Sequence, residues 1–144
     1  MSVFADSSAL VKLYAYEQGS ECVRELGQLI VSQVARVEVP AAIWRKNRVN
    51  ALSAGDASVL IAVFEDDYYG FDEKRPRFVT VAVTSRVLDT AARLTGVHGL
   101  RVYDAVQLAS AQEVAAVDPG CKTFAAFDGG LRSAAATEGF ALMP

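Results

Sequence analysis

The chain predicts an α/β protein: a parallel β-sheet with helices on both faces, in three layers. Two patterns carry that prediction. Five short β-type runs alternate with amphipathic or alanine-rich helical stretches, as expected for strands joined by helical crossovers. The first and fourth runs, VFAD and TFAAFD, both finish on an aspartate, at the edge where open parallel sheets place their functional crevice. With 144 residues, 52% of them hydrophobic and 22% charged, the sequence suits one domain over 1–144 with a buried core.

The first strand, Ser2–Ala5, is a short apolar run closed by Asp6, a favoured N-cap for the helical pattern that follows over 8–28. The remaining β-type runs are Leu29–Ser32, Arg77–Val83, Thr123–Phe127 and Phe140–Met143. Helices are expected over 34–49, 54–69, 85–97, 102–116 and 130–138, with right-handed crossovers between parallel strands. Pro40 fits the second helix if that helix begins near Val37, where a proline in the first turn is tolerated.

Composition excludes several chemistries. No apolar run approaches the ~18 residues of a membrane span, and MSVFADSSAL lacks the charged start and long apolar stretch of a signal peptide, so the expected location is the cytoplasm. Cys22 and Cys121 belong to no CxxC pair and read as small buried hydrophobes. His98 is the only histidine, in a turn-like run, which argues against zinc and against histidine-based nucleophilic catalysis.

Four acids stand out. Asp6 and Asp128 follow strands, and Gly129-Gly130 leave room for close approach to the backbone beside the second. Each is also a plain N-cap candidate. Glu38 has Val34, Ala35, Ala41 and Ala42 at i±3 and i±4, so it lies on the apolar face of its helix. Asp104 shares a stripe with Leu100 and Leu108. A carboxylate on a core-facing stripe needs a positive partner, for which Arg36 and Arg101 are the structural candidates.

Gathered in one crevice, four carboxylates would repel strongly, two of them ~4 Å apart by about 4 kcal/mol at an effective dielectric near 20. A divalent cation resolves that repulsion, and an all-oxygen donor set suits Mg²⁺, with Mn²⁺ as a substitute. Neutralising four acids would move the formal charge from −3 to +1, so an acidic chain of pI near 5.1 remains compatible with a nucleic-acid substrate. Carboxylate-held metal supports hydrolysis of phosphodiesters. Ser7 and Ser8 at the first helix start could orient the first aspartate, bind metal-bound water or contact a phosphate; Lys12 and Arg132 are candidate phosphate contacts or plain solvated surface charges. The cation-rich runs Trp44-Arg45-Lys46-Asn47-Arg48 and Lys74-Arg75-Pro76-Arg77 could follow a nucleic-acid backbone, or simply be a helix surface and a loop. The acidic, aromatic stretch Glu65–Glu73 reads as a solvated helix end and loop.

At these residues the sequence resembles the PIN-domain ribonucleases and, within them, the VapC-type toxins of bacterial toxin–antitoxin pairs. VFADSSALVKLY, SQVARVEVPAAIWRK, LRVYDAVQLASA and TFAAFDGGLRSAAATEGFAL are similar to the family's four blocks, in order and across nearly the whole chain. The resemblance implies a PIN-like sheet in the order 3-2-1-4-5, Mg²⁺- or Mn²⁺-dependent endoribonuclease activity, homodimerisation, and inhibition by a VapB-like antitoxin whose tail covers the acidic site. It matches Asp6, Glu38, Asp104 and Asp128 to the family's catalytic and metal-binding acids, and Ser8 to its small hydroxyl residue. The last block departs from the pattern: Ala125-Ala126-Phe127 precede Asp128 and Gly129-Gly130 follow it, where a hydroxyl and a polar residue are common. Two alternatives compete. One is a non-cleaving PIN-like module that holds RNA or a protein. The other is a haloacid-dehalogenase-type phosphatase, which needs a second acid where Ser8 stands.

Overall fold

The computed structural model describes residues 2–144 and contains a five-stranded parallel sheet in the order β3-β2-β1-β4-β5. The strands are β1 Ser2–Ala5, β2 Gln28–Ser32, β3 Phe78–Val81, β4 Thr123–Ala125 and β5 Ala141–Met143. Side chains alternate across the pleat as the period of two requires. Val3, Ala5, Leu29, Val31 and Ala125 face one core, and Phe4, Ile30 and Phe124 the other. Phe4 is in register with both Ile30 and Phe124, and its ring stacks on Phe124 at 5.4 Å. Each fully buried Phe adds roughly 1.5–3 kcal/mol of apolar burial, which pins this register.

Helices α1 Ser7–Leu10, α2 Ser20–Arg24, α3 Ala35–Arg48 and α4 Ala54–Tyr69 pack on the first face. Helices α5 Ser85–His98, α6 Val102–Val117 and α7 Gly129–Thr137 cover the second. Hydroxyl caps start two of them: Ser53 accepts from the Asp56 N–H before α4, and Thr84 from the Val87 N–H before α5.

Four sequence expectations need correction. The first helix does not run over 8–28. It ends after α1 and a 3-10 turn at Val11–Leu13, and the chain loops to Gly19 before α2. Lys12 Nζ bonds the Gln18 carbonyl at 2.6 Å, and Gly19 sits at φ +92° where a Cβ would meet the Phe127 ring at 2.6 Å. Long-range contacts thus fold this loop back onto the sheet edge against a helical pattern. The fourth strand stops at Ala125, because the Phe127 N–H is taken by Ser8 Oγ at 3.0 Å instead of by β5. Helix α3 starts at Ala35, not near Val37, so Pro40 is its sixth residue. A turn in which Arg36 and Val37 bond back to Gln33 and Val34 sets that start, and the proline withholds one bond from the Arg36 carbonyl. Finally, only Cys121 is buried; Cys22 is exposed, and both are free thiols.

Candidate active site

All four acids line one cleft of about 780 Å³ beyond the carboxyl ends of β1 and β4. They arrive in two pairs held in different ways.

The inner pair is Asp6 and Glu38. Asp6 leaves β1 with its N–H still bonded to Ala125 O, so its side chain is fixed by the ladder itself. Its Oδ1 caps α1, accepting from Ala9 N at 3.0 Å and from Ser8 Oγ at 2.6 Å; Oδ2 accepts no hydrogen bond from the protein. Asp6 is 4% exposed, and no cation among the described residues pairs with it. Burial pushes its carboxyl up to about 7, against the two hydrogen bonds and aided by the negative charges of Glu38 and Asp104. Glu38, in the first turn of α3, is anchored by neutral donors: Ser7 Oγ at 2.9 Å and Gln107 Nε2 at 2.7 Å both reach its Oε1. Gln107 Nε2 also lies 3.0 Å from Ser7 Oγ, tying α6 to α1 and α3.

The outer pair is Asp104 and Asp128. Asp104 occupies the first turn of α6, and Asp128 caps α7 by accepting from Leu131 N at 2.9 Å. Arg101 joins them, with Nη2 at 3.2 Å from Oδ2 of each and Nε at 3.3 Å from the same Asp104 oxygen. Burial and the neighbouring Asp128 raise the Asp104 carboxyl above its ordinary range despite Arg101.

The capping and chemical readings of Asp6 and Asp128 are therefore not exclusive, since one oxygen of each caps a helix while both side chains line the cleft. Of the two arginines weighed as partners, Arg101 meets the outer acids, whereas Arg36 pairs with Glu65 and bonds Tyr69. Ser8 braces Asp6 and the Phe127 backbone. Lys12 lines the cleft but is 8% exposed and engaged: its ammonium bonds Glu17 at 2.9 Å and sits 4.3 Å over the Phe127 ring. Glu17 also pairs with Lys46. Burial acts to raise Glu17, but hydrogen bonds from Lys46 and Lys12 outweigh it and hold the carboxyl low.

Arg132 lies outside the cleft lining and spends its guanidinium on the carbonyls of Ala126, Met143 and Pro144, clamping the C-terminal strand. His98 ends α5, outside the cleft, 2.8 Å from Glu138. Of the basic runs, Arg45 and Lys46 reach the cleft while Lys74 and Arg75 are exposed elsewhere.

The residue the sequence reading passed over is Gln107. It is 2% exposed, and its Oε1 is buried without a hydrogen-bond partner. An amide inside the otherwise apolar run Ala105–Ala109 was the signal, because a buried amide requires partners.

The donor set fits a hard divalent cation in kind, since it is all oxygen and the Asp6 carboxyl is buried with no cationic partner among the described residues. As they stand, no three acidic, histidine or cysteine side chains among the described residues are close enough together to hold one. Neutral donors hold Asp6 and Glu38, and Arg101 holds Asp104 and Asp128.

Fold and cleft define a three-layer α/β protein with a carboxylate-lined crevice at the strand ends. No protein-family model matches the chain, and no curated protein matches it in sequence. Solved structures do share the fold. The crystal structure of FitAcB from Neisseria gonorrhoeae superposes with a TM-score of 0.63 over 99% of this chain and 96% of that one, at 16% identity. A toxin–antitoxin complex from Klebsiella pneumoniae superposes with a TM-score of 0.53 over 89% and 87%, at 13% identity.

Proposed function

We propose that this chain is a metal-dependent endoribonuclease of the PIN-domain type, acting as the VapC-like toxin of a toxin–antitoxin pair. The observation that carries the nuclease reading is Asp6: a buried carboxylate without a cationic partner among the described residues, in one cleft with Glu38, Asp104 and Asp128. A carboxylate in that setting calls for either a proton or a cation. Likeness in fold to a toxin–antitoxin complex, together with the four sequence blocks, supports the toxin role.

Asp6 and Asp104 would hold the Mg²⁺ or Mn²⁺, with Glu38 and Asp128 completing the oxygen set. When bound, the ion supplies a more acidic water and stabilisation of the leaving oxygen in phosphodiester hydrolysis. The chain's own residues prepare that site. Ser8 and the Ala9 N–H occupy Asp6 Oδ1 and leave Oδ2 free. Ser7 and Gln107 hold Glu38 through Oε1, which keeps Oε2 available as a ligand or a proton acceptor. Arg45 and Lys46 add positive charge along the cleft wall, suited to an RNA backbone. In this reading a VapB-like antitoxin covers the acidic cleft, and the toxin is a homodimer in the cytoplasm.

Incubation of the purified chain with cellular RNA and Mg²⁺ tests the reading. Cleavage should occur, stop with chelator, and be lost in Asp6→Asn and Asp104→Asn variants that keep the native circular dichroism spectrum. Cleavage persisting in both variants rejects it. The guanidinium on Asp104 and Asp128 favours a second reading, a PIN-like module that binds RNA or protein without cutting. Calorimetry showing no uptake of Mn²⁺ by the wild-type chain would select that module.

A further inference from the structure

We propose that Arg101 is a resident counter-ion of the outer carboxylate pair and competes with the divalent cation for it. The inference rests on the metal-dependent reading above and names the residue that sets how readily that site loads.

Both oxygens of Asp128 are committed. Oδ1 accepts the Leu131 N–H that starts α7, and Oδ2 accepts from Arg101 at 3.2 Å. While α7 stays capped, a cation that takes Oδ2 competes with the guanidinium already on it, and the two positive charges repel. At Asp104 the Nε and Nη2 donors converge on Oδ2, so the same departure frees that oxygen and removes the positive charge beside the second acid. One movement of one side chain opens both ligands.

Arg101 is built to move. Its side chain is 79% exposed, and every hydrogen bond of its guanidinium goes to these two carboxylates. It occupies the N-cap position of α6 without a side-chain capping bond, so rotation about its own side-chain torsions disturbs neither the helix nor the acids. Two of the other cations lining the cleft, Lys12 and Lys46, are drawn to Glu17, and among the described residues only Arg101 forms an ion pair with either outer acid. Arg101 and a divalent ion thus disfavour each other at these two acids, and linkage makes that effect reciprocal.

The test uses the full chain, stripped with chelator and titrated with Mn²⁺ at pH 8 and low salt, by calorimetry or by the electron paramagnetic resonance of free Mn²⁺. High pH keeps proton competition from masking the effect. Exposed ion pairs are worth a factor of a few each, so releasing two carboxylates in Arg101→Gln should tighten Mn²⁺ binding by roughly tenfold. Arg101→Lys, which keeps the charge but not the fork, should fall between the two. Arg86→Gln, which removes an equally exposed arginine paired with Glu113 outside the cleft, should bind Mn²⁺ as wild type does and so exclude a net-charge effect. Wild-type binding that is unchanged or weakened in Arg101→Gln overturns the inference and leaves the nuclease reading standing. Failure of wild type and Arg101→Gln alike to bind Mn²⁺ overturns both.

Discussion

The inner and outer acids share one cleft yet are stabilised by opposite means. Asp6 and Glu38 are met by neutral donors, Ser8, Ala9, Ser7 and Gln107, with Asp6 buried and Glu38 half-buried. Asp104 and Asp128 are met by a full positive charge, at side chains 18% and 38% exposed. Neutral donors position a carboxylate without cancelling its charge, so the inner pair retains an unmet demand for a proton or a cation. An arginine cancels charge while remaining replaceable. The inner pair is therefore the rigid half of the site and the outer pair the adjustable half.

Titration of the metal-free protein should break the comparison most forcefully. The Asp6 carboxyl lies at about 7 in the folded chain against 3.8 for an ordinary aspartate. The folded state therefore binds the extra proton. That stabilisation is complete below about pH 4 and is lost as pH rises through 7. At 1.36 kcal/mol per unit the loss is up to about 4 kcal/mol. Asp104, raised in the same direction, adds a smaller loss of the same sign that solvent screens. Urea unfolding at pH 5 and pH 8 should register about 3 kcal/mol of it, the part lost between pH 5 and 7. Asp6→Asn, which keeps an acceptor for Ser8 and Ala9, should remove most of the slope and be more stable than wild type at pH 8. A flat wild-type profile, or an asparagine variant that is weaker at pH 8, would show that the inner carboxylate has a counter-charge after all.

Much of this was legible in the sequence. Short apolar runs bounded by turn residues gave all five strands to within two residues, and the three central ones, buried on both faces, tolerate little else. Asp6 was visible from its place after β1, and Glu38 and Asp104 from their apolar helical faces. What stayed hidden depends on contacts distant in sequence. The break after Leu13 is imposed by Phe127 packing on Gly19, and β4 is shortened by Ser8, 119 residues before Phe127. The Gln107 bond to Ser7 spans 100 residues and that of Arg101 to Asp128 spans 27, so no local pattern encodes either. Arg132 read as a phosphate contact because its use as a clamp depends on where β5 ends.

Gln107 sharpens the comparison from the side of the neutral donors. Gln107→Leu keeps the volume but removes the donor shared by Ser7 and Glu38 in a buried setting. Leaving those partners short should cost about 1–3 kcal/mol in urea unfolding. If the chain cleaves RNA, kcat should fall more than KM rises, because Glu38 is disordered while the cleft wall is intact. A variant of wild-type stability would mean that Ser7 alone fixes Glu38.

Arg101 provides the smallest expected effect on stability. Its two ion pairs lie at the cleft mouth, where exposed pairs contribute at most about 1 kcal/mol each and often nothing measurable. Arg101→Gln should shift the unfolding midpoint of the metal-free chain only slightly at low salt. The shift should vanish near 1 M salt, where the Debye length falls to about 3 Å. Gln107→Leu should keep its full penalty at that salt, because a buried hydrogen bond is not screened. A large, salt-resistant loss in Arg101→Gln would place the guanidinium among the rigid supports of the site, and the distinction between a fixed inner pair and an exchangeable outer pair would fail.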